Sequence, residues 1–194
     1  MKIGVLALQG DFERHQASLE NLNVETSQIR NPRDLSNCQG LIMPGGESTT
    51  LMKLLKESGL FQVIPKFAKD HPIFGTCAGL ILLAKEVTNL PVESFGLVDA
   101  AVQRNAYGRQ ISSFIDTVTL ELNGKNERFE GVFIRAPKII KIGKGVNILG
   151  HYDKEIVFIE SGHHLASTFH PELSASTLIH KYFVEMVRKT YEGD

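Results

Sequence analysis

The sequence predicts an α/β fold in three layers, with a mostly parallel central sheet between helices and additional antiparallel strands in the C-terminal half. Residues 1–90 alternate short apolar runs with helical patterns, which is typical of a parallel sheet covered on both faces. Residues 113–122 instead alternate apolar and polar side chains, as in an antiparallel strand. The chain of 194 residues has room for one sizeable core, so a single domain over residues 1–194 is expected.

The hydrophobic pattern predicts each N-terminal element in turn. Residues 3–8 form a continuous apolar run, typical of a strand buried on both faces, and residues 12–21 have the pattern of a helix. The same patterns predict strands at 24–29, at 40–43 and from 73, a short segment at 34–37, and helices at 49–57, 61–69 and 80–86, the first of them capped by Ser48 or Thr49. Because parallel sheets bind ligands at the carboxyl ends of their strands, the turns at Gly10, Gly45–Gly46 and Cys77 should lie at one edge.

The C-terminal half and the composition set further limits. Apolar runs predict strands at 131–135, 147–149 and 156–159, an extended segment at 165–169 and a closing helix at 175–191. No stretch of 18 apolar residues predicts a transmembrane helix. The net charge of -1 gives no bulk field that would attract nucleic acid or an anionic membrane. With only Cys38 and Cys77, no disulfide framework is expected, and a reducing cytoplasm suits the chain.

Most histidines carry no signal of chemistry. His163 and His164 are adjacent, but they have no third ligand at a suitable spacing, so neither a metal site nor a cofactor is expected. Cys38 has no base near it in the sequence and is expected to be structural. The other scattered histidines are expected at the surface; they are His15, His71, His151 and His180.

Cys77 stands in a Gly-x-Cys-x-Gly turn between a predicted strand and a predicted helix. This pattern is a cysteine version of the nucleophile elbow, in which flanking glycines allow a sharp turn and point the reactive atom out of the fold. The start of a helix also favours a thiolate over a thiol. The pattern therefore indicates a nucleophile; the alternative is a buried, inert cysteine at a strand end.

His170 and Glu172 lie two residues apart at the end of the predicted extended segment, so their side chains should lean to the same side. A carboxylate in that position can accept the Nδ1 proton of the imidazole, which leaves the other nitrogen free to take a proton from a thiol. The alternative is a strand-end histidine capped by an exposed glutamate. Together with the cysteine turn, the pair indicates a Cys-His-Glu triad.

Gly45 and Gly46 follow the predicted strand at 40–43. A double glycine there exposes backbone N–H groups that can stabilise an oxyanion or a carboxylate. It is not a phosphate-binding loop, because no Gly-Lys-Ser/Thr follows. The alternative is a loop that uses glycines only to turn.

These three motifs, in this order, resemble the class I, triad-type glutamine amidotransferases. The resemblance narrows to the glutaminase subunits of pyridoxal 5′-phosphate synthase and runs from residue 3 to about residue 187. The segments that carry it are GVLALQG (4–10), PGGESTT (44–50), FGTCAGL (74–80), RNAYGRQ (104–110), FIRAP (133–137) and FHPEL (169–173). It implies a flavodoxin-like class I glutamine amidotransferase fold.

The resemblance implies a role for each site residue. Cys77 would attack the side-chain amide carbon of L-glutamine, His170 would accept the thiol proton and later protonate the departing ammonia, and Glu172 would orient His170. The N–H groups of Gly46 and Ala78 would form the oxyanion hole. The residues implied to line the glutamine pocket are Gly46, Glu47, Ser48, Arg104, Ile134 and Arg135, although Arg104 and Arg135 can equally be structural ion-pair residues.

The resemblance also implies a partner. In the family, ammonia passes to a separate, barrel-shaped synthase subunit, which Gln9 and Gly10 would face. Two other functions stay open: the glutaminase of another amidotransferase, such as that of histidine biosynthesis, and a non-catalytic, DJ-1-like module with a redox-sensing cysteine. The segment 104–110 favours the pyridoxal interpretation over the first alternative, and the second leaves His170, Glu172 and the double glycine unexplained.

Overall fold

The computed structural model describes residues 1–89, 93–104, 106 and 113–192. In those ranges the strands are β1 Lys2–Leu6, β2 Glu25–Ile29, β3 Gly40–Met43, β4 Ile73–Thr76, β5 Ala84–Val87, β6 Val98–Gln103, β7 Ser113–Leu122, β8 Lys125–Ile134, β9 Lys138–Ile142, β10 Val146–Tyr152, β11 Glu155–Ser161 and β12 His164–Ser167. The helices are α1 Phe12–Glu20, α2 Ser48–Glu57, α3 Leu60–Phe67, α4 Ala78–Leu83 and α5 Leu178–Glu192, with short 3-10 helices at Pro32–Leu35 and Pro171–Leu173.

The main sheet, counted over the described residues, has nine strands in the order β2-β1-β3-β4-β12-β11-β10-β7-β8. The first five strands run parallel to one another, and β12 joins them by pairing with β4. The remaining strands continue the sheet in antiparallel fashion. The predicted parallel sheet with antiparallel strands in the C-terminal half is therefore confirmed.

Each face of the parallel strands carries its own core, because successive side chains of a strand point to opposite faces. Ile42 packs with apolar residues of α1 and α5. Its neighbours Leu41 and Met43 pack with residues of α2, α3 and α4 on the other face. The predicted arrangement of a sheet between two helical layers is thus confirmed.

A second, three-stranded sheet in the order β5-β6-β9 was not predicted. The prediction of a helix over 80–86 is wrong in its second half, because α4 ends at Leu83 and Ala84 turns into an extended conformation with φ -61° and ψ 149°. All six residues of α4 are buried, whereas Lys85 and Glu86 are exposed and belong to the strand that pairs with β6. Among the described helices, none is long and apolar enough to cross a membrane.

Candidate active site

Cys77 occupies the turn between β4 and α4 in a backbone conformation that side chains rarely adopt, with φ 50° and ψ -103°. Both flanking glycines are needed for this turn. A Cβ on Gly75 would lie 2.6 Å from the Gly79 carbonyl carbon, and a Cβ on Gly79 would lie 2.1 Å from the Met43 carbonyl oxygen. The cysteine is 6% exposed, and its Sγ lies 3.8 Å from the Ile134 carbonyl oxygen. The predicted elbow is formed, and it presents the sulfur to a cavity rather than to bulk solvent.

The pairing of β12 with β4 brings the histidine motif to this turn. Ser167 lies opposite Thr76 in the parallel register, and its carbonyl accepts the Cys77 N–H at 2.9 Å. The backbone N–H of His170 donates to the Val132 carbonyl of β8 at 2.8 Å, which fixes the chain where the imidazole begins. Neighbouring strands thus carry the thiol and the imidazole to one edge of the sheet.

His170 and Glu172 are buried and hydrogen-bonded, with 2.8 Å between Nδ1 and Oε1. The backbone at Pro171–Leu173 is a 3-10 turn, and this turn rather than strand alternation brings the carboxylate back to the ring. Nε2 of His170 has no hydrogen-bond partner among the described residues. Burial lowers the pKa of His170, but the neighbouring Cys77 and Glu172 outweigh it and raise that pKa to about 10.

Glu172 is ionised although it is buried. Burial alone raises its pKa, but His15 and the hydrogen bond from His170 outweigh this effect and bring the pKa to about 2. The prediction that His15 and His180 lie at the surface is wrong, since both are 0% exposed. The helical period is the signal that could have located His15, because His15 and Leu19 lie one turn apart on the buried face of α1. His71 is half-buried, and only His151 is exposed as predicted.

A cavity of about 400 Å³ opens at Cys77 and His170. It brings together all the predicted site residues except Ala78 and Glu172, both of which are buried. Its lining residues are Gln9, Gly10, Asp11, Gly45, Gly46, Glu47, Ser48, Cys77, Ile81, Arg104, Ile134, Arg135 and His170. The turns at Gly10, Gly45–Gly46 and Cys77 thus lie at one edge of the sheet, as the sequence predicts.

The turn at Gly45–Gly46 packs against the ring of His170, and the turn at Gly10 packs against Gly45. A Cβ on Gly45 would lie 2.4 Å from Cε1 of His170. Gly10 has φ 84°, and a Cβ there would lie 2.0 Å from the Gly45 carbonyl oxygen. Gly46, with φ 146°, lies against the Gln9 side chain, whose Oε1 accepts the Glu47 N–H at 3.2 Å.

Glu47 caps α2, so the prediction of Ser48 or Thr49 as the cap is wrong. Its carboxylate reaches two residues into the helix and accepts the N–H groups of Thr49 and Thr50 at 3.1 and 2.8 Å. Burial raises the pKa of Glu47, but the hydroxyl and backbone hydrogen bonds from Thr49 and Thr50 outweigh it and lower the pKa to about 2. Oε1 of Glu47 also lies 3.0 Å from Nη2 of Arg104.

Arg104 is both an ion-pair residue and a pocket residue. Its backbone is held by Asn89, which accepts the Arg104 N–H at 2.9 Å and donates to its carbonyl at 2.6 Å. Nη1 of Arg104 and Oγ of Ser48 are buried and have no hydrogen-bond partner among the described residues. Of the rest of the segment 104–110, Asn105 and residues 107–110 lie outside the described residues.

Ile134 and Arg135 follow each other at the end of β8, on the wall of the cavity next to Cys77. Arg135 is exposed and has φ 43°, a left-handed conformation that is uncommon outside glycine. This conformation turns the chain away from the sheet at the point where the Ile134 carbonyl faces the sulfur.

The fold and this set of residues define the class of protein: a class I glutamine amidotransferase. A solved structure described as a glutamine amidotransferase superposes with a TM-score of 0.89 at 42% identity, over 96% of this chain and 98% of that one. A putative GMP synthase component from Thermoplasma acidophilum, at 19% identity and a TM-score of 0.72, has the same fold and covers 99% of this chain and 96% of its own. The predicted fold class is thereby confirmed.

The chain belongs to the SNO glutamine amidotransferase family, whose model matches residues 5–189. Among curated proteins it is 48% identical to the pyridoxal 5′-phosphate synthase subunit PdxT of Pseudothermotoga lettingae, over 100% of this chain and 99% of that protein. It is 45% identical to the PdxT subunit of Thermosipho africanus, over 97% of this chain and 100% of that protein. The family resemblance expected from the sequence motifs is confirmed.

Proposed function

We propose that this chain is the glutaminase subunit of a pyridoxal 5′-phosphate synthase and hydrolyses L-glutamine to L-glutamate and ammonia. The observation that supports it most directly is the buried His170 beside the Cys77 elbow: its Nδ1 is bound to Glu172, and its Nε2 has no hydrogen-bond partner in the described part of the chain. The names of relatives at 45% and 48% identity support the assignment to this synthase.

In the proposed mechanism, His170 first carries a proton from the Cys77 thiol to the departing ammonia. It later carries a proton from water to the Cys77 sulfur. His170, with its raised pKa, holds the proton of the Cys77 thiol on Nε2, and the resulting thiolate attacks the amide carbon of glutamine. The tetrahedral intermediate collapses to a thioester as His170 returns the proton to the departing ammonia. Water then attacks the thioester with His170 as base, which releases glutamate and restores the thiol. Glu172 keeps the ring in one orientation throughout.

Backbone N–H groups would stabilise the oxyanion of both intermediates. Ala78 is the first residue of α4, where a backbone N–H has no partner within the helix. Gly46 lines the same cavity on the opposite loop. Each such donor is worth roughly 10²–10³ in turnover when it is correctly placed.

The α-carboxylate and α-ammonium groups of L-glutamine would bind in the part of the cavity lined by Arg104, Ser48 and Glu47. Nη1 of Arg104 is buried and suits the α-carboxylate, and Ser48 offers a hydroxyl in the same cavity; neither atom has a hydrogen-bond partner among the residues described. Glu47 supplies the negative charge that an α-ammonium group requires, and Ile134 and Arg135 complete the wall.

The proposed partner is the barrel-shaped synthase subunit, which would receive ammonia directly. It would dock over Gln9 and Gly10, which line the cavity and pack against Gly45 and Gly46. Docking could therefore turn the Gly46 N–H toward the oxyanion, so we propose that the isolated chain is nearly inactive. A cytoplasmic location suits a thiol that must remain reduced, and both cysteines are free.

The test measures glutamate release by the chain alone and with an excess of the synthase subunit. We expect the partner to raise turnover by roughly 10²–10³-fold, the value of one oxyanion donor. Cys77→Ala should abolish the activity, whereas Cys38→Ala, the matched control at a buried position, should retain it. A glutamine-analogue electrophile should likewise modify Cys77 and spare Cys38.

Two outcomes would contradict the proposal. Activity that persists in Cys77→Ala would exclude the triad, and equal turnover with and without partner would exclude gating through the glycine loops. Activation only by the synthase subunit of histidine biosynthesis would favour that alternative. Oxidation of Cys77 without any glutamate release would favour a redox module.

A further inference from the structure

A row of buried side chains continues from the triad into the interior. Oε2 of Glu172, on the side away from His170, lies 3.3 Å from Nε2 of His15 on α1. Nδ1 of His15 lies 2.9 Å from Nε2 of His180 on α5. All three side chains are completely buried. The two helices that cover one face of the sheet thus each supply a histidine behind the catalytic carboxylate.

The charge of Glu172 fixes the direction of the hydrogen bonds in this row. An ionised carboxylate only accepts, so the tautomer that suits it carries the proton on the nitrogen of His15 that faces it. The other nitrogen of a neutral His15 is then an acceptor, and His180 must donate its Nε2–H to it. Nδ1 of His180, which has no partner among the described residues, is the nitrogen left without a proton.

The surroundings of both histidines agree with neutral rings. Burial lowers the pKa of His180 to about 3. Burial also lowers the pKa of His15, and the positive His170 adds to this effect, while Glu172 and Asp11 oppose it. Oγ1 of Thr76 lies 3.5 Å from Nε2 of His15, so the same N–H also faces the residue before the nucleophile.

The contact to His15 is what limits movement of the carboxylate. It is longer than the 2.8 Å bond to His170, and it is not aligned as a full hydrogen bond, since Oε2 has no hydrogen-bond partner among the residues that the structure describes. His15 nevertheless supplies a ring nitrogen within ion-pair distance of Oε2, at 3.3 Å. Without His15, Oε2 would lose this contact, and we expect the carboxylate to turn, which would move Oε1 off His170.

We propose that His15, with its tautomer set by His180, is a positioning residue of the triad, which holds Oε2 of Glu172 so that Oε1 stays on His170. His15 does not touch the reacting atoms and acts only through the carboxylate. The inference rests on the proposed glutaminase function, because it assigns a task to the support of that triad.

The spectroscopic test uses the wild-type chain. Long-range ¹H–¹⁵N correlation of the imidazole nitrogens separates the Nδ1–H tautomer, the Nε2–H tautomer and the protonated ring, and His15→Gln and His180→Gln assign the signals by their loss. We expect both rings to be neutral Nε2–H tautomers at pH 7. A protonated His15, or an Nδ1–H tautomer of His15, would overturn the proposal.

The kinetic test compares His15→Leu with His15→Gln in the presence of excess synthase subunit. Leucine fills the space without a donor, and we expect turnover to fall by roughly 10–100-fold, as for other groups that orient a reactive residue. The KM for glutamine should stay within about twofold, because the pocket lies on the other side of Cys77. In His15→Gln, the new side chain offers an N–H near the position of Nε2, so this variant should keep most of the wild-type turnover. The variant His151→Leu, at an exposed position, serves as control.

The outcomes separate this inference from the proposed function. If wild-type protein releases no glutamate with any synthase subunit, the proposed function fails, whatever the variants do. The positioning role is wrong if the wild type is active and His15→Leu has the same turnover. It is also wrong if His15→Leu and His15→Gln lower turnover equally. Circular dichroism checks folding, and if His15→Leu does not fold, the glutamine variant and the wild-type tautomer decide.

Discussion

At the scale of single residues, the chemistry of this site depends on which nitrogen of each imidazole faces which neighbour. Glu172 holds Nδ1 of His170 at 2.8 Å, and Nε2 has no hydrogen-bond partner among the described residues on the cavity that His170 shares with Cys77. Such an arrangement keeps the base in one orientation. Loss of the base and loss of its support should therefore differ in severity.

We predict that His170→Asn lowers glutaminase turnover by roughly 10⁵–10⁶-fold and that Glu172→Gln lowers it by roughly 10⁴-fold. The first variant has no imidazole to accept the thiol proton, whereas the second keeps a ring in the wrong orientation or tautomer for much of the time. Steady-state glutamate release with excess partner measures both. The exposed Glu57→Gln is the control, and wild-type turnover in either site variant would refute the assigned roles.

The sequence was sufficient to identify Cys77, His170 and Glu172 as a set, because each stands in a short motif whose local geometry implies chemistry. It was insufficient for His15 and His180, which stand in no such motif. Each is separated from Glu172 by tertiary packing of a helix on the sheet. No local pattern could show that the two histidines meet each other.

At the scale of elements, the turns between strands and helices position the site, and their close contacts leave little freedom. The turn after β3 presses Gly45 against the ring of His170, and the turn after β1 presses Gly10 against Gly45. These backbone approaches require glycine because a Cβ would overlap a neighbour. A side chain at position 45 should therefore act on catalysis before it acts on the core.

We predict that Gly45→Ala lowers turnover by about 10²-fold, since a Cβ 2.4 Å from Cε1 of His170 must displace the ring. Gly145→Ala is the matched control, because a Cβ there meets nothing within 4 Å. Turnover is compared with thermal unfolding of the same samples. A Gly45→Ala variant that keeps full turnover would show that this contact does not fix the ring.

Element boundaries were predictable where apolar runs end at glycine or proline. The strand β3 has the predicted bounds, because a glycine opens it and a proline with two glycines closes it. The three strands of the smaller sheet were missed. In the sequence, the apolar pattern of α4 continues into Ala84. The chain forms a strand there because it pairs with β6. That pairing is a long-range contact, and hydrophobic period does not encode it.

At the scale of the whole molecule, the interior contains several histidines that are held neutral. His15 and His180 lie behind the triad, and His164 accepts the Ile73 N–H at 3.2 Å. Burial lowers the pKa of His164 to about 4 and that of His180 to about 3, from 6.5. Below pH 6.5 the unfolded chain therefore binds more protons than the folded protein, which makes folding less favourable in acid.

We predict that the free energy of unfolding decreases as the pH falls from about 6.5 toward about 4, by up to about 1.4 kcal/mol per pH unit for each such histidine. Urea unfolding at a series of pH values measures the slope. His164→Asn, which keeps an acceptor for the Ile73 N–H, should reduce the slope, and the exposed His151→Asn should not. A slope that is the same in His164→Asn and wild type would contradict the prediction.

The pairing of β12 with β4 has a consequence for the newly made protein. The thiol and its base come from adjacent strands, but His170 follows Cys77 by roughly 90 residues in the chain. At the usual speed of ribosomes, roughly 5–20 s pass between their synthesis, depending on the organism. During that interval Cys77 has left the ribosome without its base, so a nascent or prematurely ended chain carries an ordinary thiol. If the proposed triad is correct, we expect Cys77 to become reactive only when the sheet is complete.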